Sequence, residues 1–186
     1  MHNFANNLTK ANVGEQIEQY TRCIEEIGNP VADKSGVRLL WSIKRDRVNL
    51  GPYPDVSLFE AANRIMTDSV IFYGVRWLLV EEVFPFETYR VEFGNEDESR
   101  FDICAEQDGK SLVGEAFNVA PSFFQGKKTQ MLKKLREQGA NADFKIIMVN
   151  HDAASDTYKP KPKPSEYFVF VQTGSSTATI VPHRGR

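Results

Sequence analysis

Two acidic residues stand inside neighbouring hydrophobic segments of this sequence, Asp102 in FDICA and Glu115 in LVGEAFNV. Side chains alternate between the two faces of a strand, so Asp102 shares a face with Cys104, and Glu115 shares one with Phe117. If the two segments pair through the short AEQDGKS turn, both carboxylates can lie together on one face. Such a pair is costly to bury without a partner. A divalent cation such as Mg²⁺ or Mn²⁺ removes that cost, activates water and neutralises phosphate charge.

The elements that must position these acids can be predicted from the hydrophobic periodicity. The capping-box sequence SLFE opens a helical region at Ser57 that runs to about Val83, with a break near residues 67–69. Strands are predicted over residues 87–93, 100–106 and 111–120, followed by a helix over 122–138 and a buried strand over 144–149. A strand meander, a crossover helix and further strands predict an α/β fold with a mixed sheet.

The flanking segments complete the predicted organisation. Asn12 and Glu15 have capping-box spacing at the start of a helix over 12–28, and residues 31–56 are expected to be irregular, with a short helix or strand over 37–43. Later segments are predicted as strands over 167–172 and 177–181 and a frayed tail from residue 182. We expect a single domain over 1–186, comprising a core over 57–150, a helical and irregular N-terminal extension over 1–56 and a Lys/Pro-rich loop over 151–166.

The order of elements and the placement of the two acids resemble the PD-(D/E)XK nuclease superfamily. The resemblance covers about residues 57–150 and implies a restriction-endonuclease-like mixed β-sheet flanked by helices, with an α-β-β-β-α-β core. It also implies that Asp102, Glu115 and the backbone carbonyl of Ala116 bind Mg²⁺ or Mn²⁺, assisted by Glu82 at the end of the preceding helix. The implied activity is that of a Mg²⁺-dependent DNA endonuclease hydrolysing phosphodiester bonds, with a homodimer needed to cut both strands.

The sequence departs from the family pattern at the lysine that orients the attacking water. Phe117 occupies that position and can neither hold water nor donate a proton, and Phe101 precedes Asp102 where the family has proline. Some family members carry the lysine on the following helix instead. At about 100° per residue, Lys128 falls within the apolar stripe of the helix over 122–138, where an amine needs a polar target. Lys128 is therefore the predicted catalytic replacement.

Charge limits how this chain could bind DNA. The net charge is −2, so any contact with phosphates requires local basic patches rather than a generally positive surface. Side chains predicted to contact DNA are Lys127 and Lys134, which flank the helix stripe, and Lys44, Arg45 and Arg47 in WSIKRDR.

The sequence also limits where the protein is expected to act. The most apolar window, VIFYGVRWLLV, is too short to span a bilayer and contains an arginine. No signal peptide is visible, and the two cysteines lie among apolar residues, which is typical of small hydrophobic side chains in a reducing compartment. We expect a cytoplasmic protein without a membrane partner.

Two other interpretations fit the same residues. Phe117 favours a fold relative with an inactive site, retained as a nucleic-acid-binding or protein-interaction module. In the second, Asp102 and Glu115 are ordinary surface residues of an unrelated α/β binding protein, paired with arginines such as Arg90 or Arg100. Convergence of the two acids separates this last interpretation from both nuclease-fold hypotheses.

Overall fold

The structure is a computed structural model that describes residues 4–49, 51–94, 100–155 and 157–184. The helices are α1 (Val13–Ile24), α2 (Gly36–Arg45), α3 (Leu58–Val80) and α4 (Pro121–Gln138). The strands are β1 (Asn7–Thr9), β2 (Arg47–Val48), β3 (Val56–Ser57), β4 (Thr88–Val91), β5 (Ile103–Gln107), β6 (Lys110–Phe117), β7 (Phe144–Asn150), β8 (Glu166–Gln172) and β9 (Thr177–Val181). Short 3-10 helices occupy Asn29–Val31 and His151–Ala153. The described chain is thus a mixed α/β fold, as predicted.

Seven strands form one mixed sheet in the order β1-β4-β5-β6-β7-β8-β9. Strands β4, β5 and β6 are the predicted antiparallel meander, with Ile103 opposite Gly114. Helix α4 then crosses over to β7, which lies parallel to β6 and places Glu115 opposite Ile147. Strand β8 is parallel to β7, and β9 returns antiparallel to β8. The carboxyl ends of β6, β7 and β8 therefore meet at one edge, the usual place for ligands in open α/β sheets.

The predicted capping box starts α3 at Ser57. Ser57 Oγ accepts a hydrogen bond from the Glu60 N–H at 3.2 Å, and a Glu60 carboxylate oxygen accepts one from the Ser57 N–H at 2.9 Å. The predicted break at residues 67–69 is wrong, because the helix is continuous to Val80. Asp68, which suggested the break, is buried and hydrogen-bonded to side chains outside the helix.

Helix α3 runs antiparallel to β7 across one face of the sheet. Phe84, just after the helix, packs on Phe144 at the start of β7, with ring centroids 5.0 Å apart. Gly74 lies against Met148, so closely that a Cβ there would overlap the methionine sulfur. The N-terminal half of α3 therefore points towards the edge where the parallel strands end.

None of the helices in the described ranges is long and apolar enough to cross a membrane. Helix α3 comes nearest in length, with 23 residues, yet it carries Glu60, Arg64, Asp68 and Arg76. Most of its apolar side chains are instead buried against the sheet and α1.

Two hydrophobic clusters lie on opposite faces of the sheet. The larger one joins α1 and α3 to side chains such as Ile103, Leu112 and Ala116. The smaller one joins α4 to side chains such as Phe101, Phe117 and Ile147. Along β6, Leu112 and Ala116 face the larger cluster, and Phe117 faces the smaller one. Since side chains alternate along a strand, Glu115 shares the face of Phe117, and its carboxylate lies on the α4 side of the sheet.

The N-terminal region differs from its prediction in two places. The short element expected over 37–43 is helix α2, and the segment after it forms the β2–β3 hairpin rather than irregular chain. The capping box predicted at Asn12 does not form. The Asn12 side chain instead accepts from the Thr9 N–H at 2.8 Å and donates to the Asn7 carbonyl at 3.0 Å, closing the turn after β1.

The C-terminal segment packs on the domain as far as Arg184. Its guanidinium lies 4.8 Å from the ring centroid of Phe84, 4.7 Å from that of Phe144 and 5.5 Å from that of Tyr167. These cation–π contacts hold a segment that was predicted to be frayed.

Candidate metal and phosphate site

The structure brings Asp102 and Glu115 together at the carboxyl edge of the parallel strands. Asp102 is the residue immediately before β5, and Glu115 follows Gly114, the partner of Ile103, on β6. The chain at Asp102 remains attached to the meander because its carbonyl accepts a hydrogen bond from the Glu92 N–H at 2.9 Å. Both acids therefore lie where β5 begins and β6 approaches its end.

The carboxylate of Asp102 is held against the backbone of β6. Its Oδ2 accepts a hydrogen bond from the Ala116 N–H at 2.7 Å. Burial raises the pKa of the Asp102 carboxyl, while this hydrogen bond and the charges of Lys134 and Lys127 oppose the increase. Because the N–H and C=O of one strand residue point to the same side, the Ala116 carbonyl also faces Asp102.

Glu115 is a buried carboxylate, with 3% of its side chain exposed. Burial, and next the negative charge of Asp102, raise the pKa of Glu115 to about 7, and Lys134 opposes that increase. Asp102 is therefore close enough for its charge to act on Glu115, and a proton or a cation on Glu115 stabilises the pair.

Lys134 supplies a cation to this pair from α4. Its Nζ lies 2.7 Å from Glu115 Oε1 and 5.7 Å from the centroid of the Phe101 ring. Lys127, two helical turns earlier on the same side of α4, also acts on both carboxyl groups through its charge. The two lysines predicted as phosphate contacts thus line the acidic pair.

Lys128 lies on the other edge of α4. Its Nζ donates hydrogen bonds to Gln125 Oε1 at 2.5 Å and to the Tyr158 hydroxyl at 3.2 Å. It also lies 5.5 Å from the Phe124 ring centroid and 4.9 Å from that of Tyr158. The structure therefore places Lys128 with aromatic side chains near the loop after β7, and places Lys134 beside Glu115.

Phe117, which occupies the family's lysine position, is part of the core. Its ring is buried and lies 6.4 Å, centroid to centroid, from that of Phe124. A lysine at this position would have to bury its stem in the same cluster, whereas the cation found beside the two acids, Lys134, comes from α4.

Glu82 lies away from the two acids. Its Oε1 is 3.3 Å from Lys10 Nζ, just after β1, and β1 pairs with the Thr88 end of β4. Asp102 is attached at the other end of β4, at Glu92, about 13 Å further along the strand. Glu82 is thus at the opposite end of the sheet from the proposed metal ligands.

The other predicted DNA contacts lie around α2. Lys44 Nζ is 4.8 Å from the Phe59 ring centroid, and the Arg45 guanidinium is 5.9 Å from the Trp41 ring. Arg47 donates a hydrogen bond to the Asp55 carbonyl at 2.7 Å and lies 3.9 Å from Glu60. Arg47 therefore stabilises the β2–β3 hairpin. Lys44 and Arg45 instead lie over the exposed rings of Phe59 and Trp41.

Asn150 is a site residue that the sequence reasoning missed. It is buried at the end of β7, where its Oδ1 accepts from the Val119 N–H at 2.9 Å and its Nδ2 donates to the Val119 carbonyl at 3.2 Å. These bonds fix the connection between β6 and α4. They therefore also fix the distance between the sheet and the two lysines of α4, Lys127 and Lys134. The sequence signal for this site residue was an asparagine directly after the predicted buried strand FKIIMV.

The donor set fits a Mg²⁺ ion that retains several waters. Magnesium sites in proteins often use one or two carboxylates, and here Asp102 and Glu115 provide two. The backbone carbonyl of Ala116 provides a further oxygen. Within the described ranges there is no group of three or more His, Cys, Asp or Glu side chains that could hold a metal ion. Asp102 and Glu115 would thus form a site with two carboxylates.

No protein-family profile and no curated protein sequence matches this chain.

Proposed function

We propose that this chain is a Mg²⁺-dependent DNA endonuclease with a restriction-endonuclease-like fold. The observation that carries the proposal is the convergence of Asp102, Glu115 and Lys134 at the carboxyl edge of the parallel strands. The meander, the crossover helix α4 and the parallel strand β7 support the same fold assignment. Since one domain carries one such site, cutting both strands of a duplex calls for a homodimer.

In this proposal each residue has a defined role. Asp102, Glu115 and the Ala116 carbonyl hold a metal ion, which when bound lowers the pKa of a coordinated water and neutralises phosphate charge. When DNA binds, Lys134 leaves its ion pair with Glu115 and contacts the phosphate that is attacked. Lys127 binds the neighbouring backbone phosphate, and Asn150 keeps α4 at the height that these contacts require.

The test is cleavage of supercoiled and linear DNA in Mg²⁺ or Mn²⁺ by the wild type and by Asp102→Asn. The amide keeps the shape of the side chain but removes a charged metal ligand, so cleavage should be lost while the thermal unfolding midpoint stays near the wild-type value. Glu106→Gln, an exposed acid on β5, is the matched control and should cut normally. Undiminished cutting by Asp102→Asn would remove the proposal.

A second candidate is a nucleic-acid-binding or protein-interaction module with an inactive site. It is favoured by Phe117, buried in the core, and by Lys134, which already neutralises Glu115 without a metal. Calorimetric titration with Mn²⁺ separates the two. Heat that saturates at one site and disappears in Asp102→Asn supports the nuclease, and background heat alone supports the module.

A further inference from the structure

Helix α2 and the start of α3 expose large apolar side chains next to each other. Trp41 has 64% of its surface exposed and Phe59 has 48%. We use the name α2 face for the exposed apolar residues and the cations among them, which are Val37, Arg38, Leu40, Trp41, Lys44, Arg45 and Phe59. The buried side of α2, which includes Ser42, packs towards α3 and leaves this face uncovered.

The α2 face is positively charged in a chain whose net charge is −2. Among the described residues, no acidic side chain lies within 4.0 Å of Arg38, Lys44 or Arg45. Lys44 and Arg45 lie instead over the rings of Phe59 and Trp41. Planar apolar groups and unpaired cations thus alternate on one surface, which is the chemistry of a site for unstacked nucleobases and their phosphates.

The α2 face lies at the end of the molecule that carries Asp102. Asp68 of α3 accepts a hydrogen bond from the Gly94 N–H at 3.1 Å, two residues beyond Glu92, which is bonded to Asp102. From Asp68, α3 continues towards its N-terminus for about 14 Å before it reaches Phe59. The α2 face and the two acids therefore lie towards the same end of the molecule, with α3 on one face of the sheet and the Glu115 carboxylate on the other.

We propose that the α2 face binds single-stranded nucleic acid, with bases stacked on Trp41 and Phe59 and phosphates on Lys44, Arg45 and Arg38. This inference rests on the proposed function for the class of partner, and it adds that the DNA substrate has an unpaired segment. A second copy of the chain fits poorly, because two such faces would bring like charges together. A membrane surface fits poorly as well, since membrane-bound helices bury their rings with the cations extended to the headgroups, whereas these cations lie on the ring faces.

Trp41 and Trp77 are the two tryptophans of the chain, so Trp77→Phe makes Trp41 the sole indole reporter. In this variant, in EDTA to prevent cleavage, a thymidine 12-mer should quench the fluorescence of Trp41, and a blunt duplex of equal length should quench it less. In anisotropy titrations of the labelled 12-mer with full-length protein, Trp41→Ala should weaken binding about 5- to 150-fold, the usual loss for one stacked base.

Two further variants define the contribution of charge and provide a matched control. Replacing Lys44 and Arg45 together by alanine should lower the slope of log affinity against log salt concentration by about 1.4. Met66→Ala removes an exposed apolar side chain of α3 outside the α2 face and should bind the 12-mer as the wild type does.

Each alternative has its own outcome. Unchanged affinity in Trp41→Ala overturns the inference. A blue shift of Trp41 on vesicles of phosphatidylglycerol, without a response to the 12-mer, assigns the face to membranes and also overturns it. A dimer in sedimentation that Trp41→Ala dissociates assigns the face to a second copy. If Asp102→Asn and the wild type both bind the 12-mer and neither cuts DNA, the nuclease proposal fails while the binding face stands.

Discussion

Lys134 Nζ lies 2.7 Å from Glu115 Oε1, joining the C-terminal half of α4 to β6, the central strand of the sheet. Glu115 is almost completely buried and has Asp102 as its negatively charged neighbour. Lys134 is therefore the cation that the protein itself provides for a pair of acids that water hardly reaches. A metal ion bound as proposed would compete with Lys134 for the same carboxylate, and the predictions on pH, metal and mutation follow from that competition.

Replacing Glu115 by glutamine should stabilise the protein at alkaline pH. The folded-state pKa of Glu115, about 7, lies above the ordinary value of 4.5, so between these values the folded protein holds a proton that the unfolded chain has lost. The wild-type free energy of unfolding must then fall as pH rises through this window, and Glu115→Gln removes that fall. The advantage of the variant over the wild type should grow by about 3 kcal/mol between pH 4.5 and pH 8 in urea unfolding.

The exposed acid Glu106 gives the comparison for this measurement, since Glu106→Gln should leave the wild-type pH profile unchanged. An advantage of Glu115→Gln that is equal at both pH values would show that Glu115 is not a buried acid.

Lys134→Gln should bind Mn²⁺ more tightly than the wild type, because the competing ammonium is absent. Removal of a close ion pair from a buried carboxylate is worth about 1–2 kcal/mol, which corresponds to about 5- to 30-fold in affinity. The same variant should cut DNA more slowly, because the phosphate loses its cation. Calorimetry and a cleavage assay measure the two effects separately.

Lys128→Gln is the matched variant, since Lys128 lies on the other edge of the same helix, with Tyr158. It should change neither the affinity for Mn²⁺ nor the rate of cleavage. A larger loss of cleavage in Lys128→Gln than in Lys134→Gln would restore the residue that the sequence suggested.

Affinity for Mn²⁺ should also rise between pH 6 and pH 8. The metal binds the ionised form of Glu115, whose pKa is raised to about 7, so each unit of pH below that value removes about tenfold of the competent form. Calorimetry in buffers of different ionisation enthalpy should detect the proton released at pH 6. Affinity independent of pH over this range would contradict the assignment of Glu115 as a ligand.

Asp68→Ala should destabilise the fold by about 3–5 kcal/mol, the usual cost of leaving buried polar partners unpaired. The Asp68 carboxylate accepts hydrogen bonds from the hydroxyls of Tyr20, at 2.6 Å, and Tyr53, and from the Gly94 N–H. Tyr53→Phe removes one bond and should cost about 1 kcal/mol. Asp33→Ala, at an exposed position, should change the urea midpoint little, and a loss in Asp68→Ala no larger than this would contradict the buried network.

Two helix glycines should respond to alanine with opposite signs. Gly126 of α4 has open space around it, so Gly126→Ala should stabilise the protein by about 0.5–1 kcal/mol. Gly74 of α3 lies against Met148, so Gly74→Ala should cost about 1–3 kcal/mol through overpacking. Thermal unfolding measures both, and stabilisation by Gly74→Ala would mean that α3 packs more loosely on β7 than the structure shows.

Most of the fold was predictable because its elements have strong local signals. Ser57 and Glu60 marked the start of α3, and alternation marked the meander and the parallel strands β7 and β8. Strand β1 was missed because its three residues have no periodicity of their own and depend on pairing with β4. The break expected near Asp68 was wrong because a polar residue in a helix can be satisfied by partners distant in sequence, here Tyr20.

The acidic pair of the site could be predicted, but its cation could not. The alternation of side chains placed Glu115 on the face of Phe117, and a short turn brought Asp102 beside it. Lys128 and Lys134 lie on opposite edges of the α4 stripe, and angular position alone does not say which edge faces β5. That depends on how α4 lies across the sheet, which is a property of the tertiary packing.

Glu115 lies within the paired part of β6, whereas Asp102 precedes the first paired residue of β5. Asp102 is held instead by one hydrogen bond from the Glu92 N–H to its carbonyl and another from the Ala116 N–H to its carboxylate, so the spacing of the two acids depends on three neighbouring segments at once.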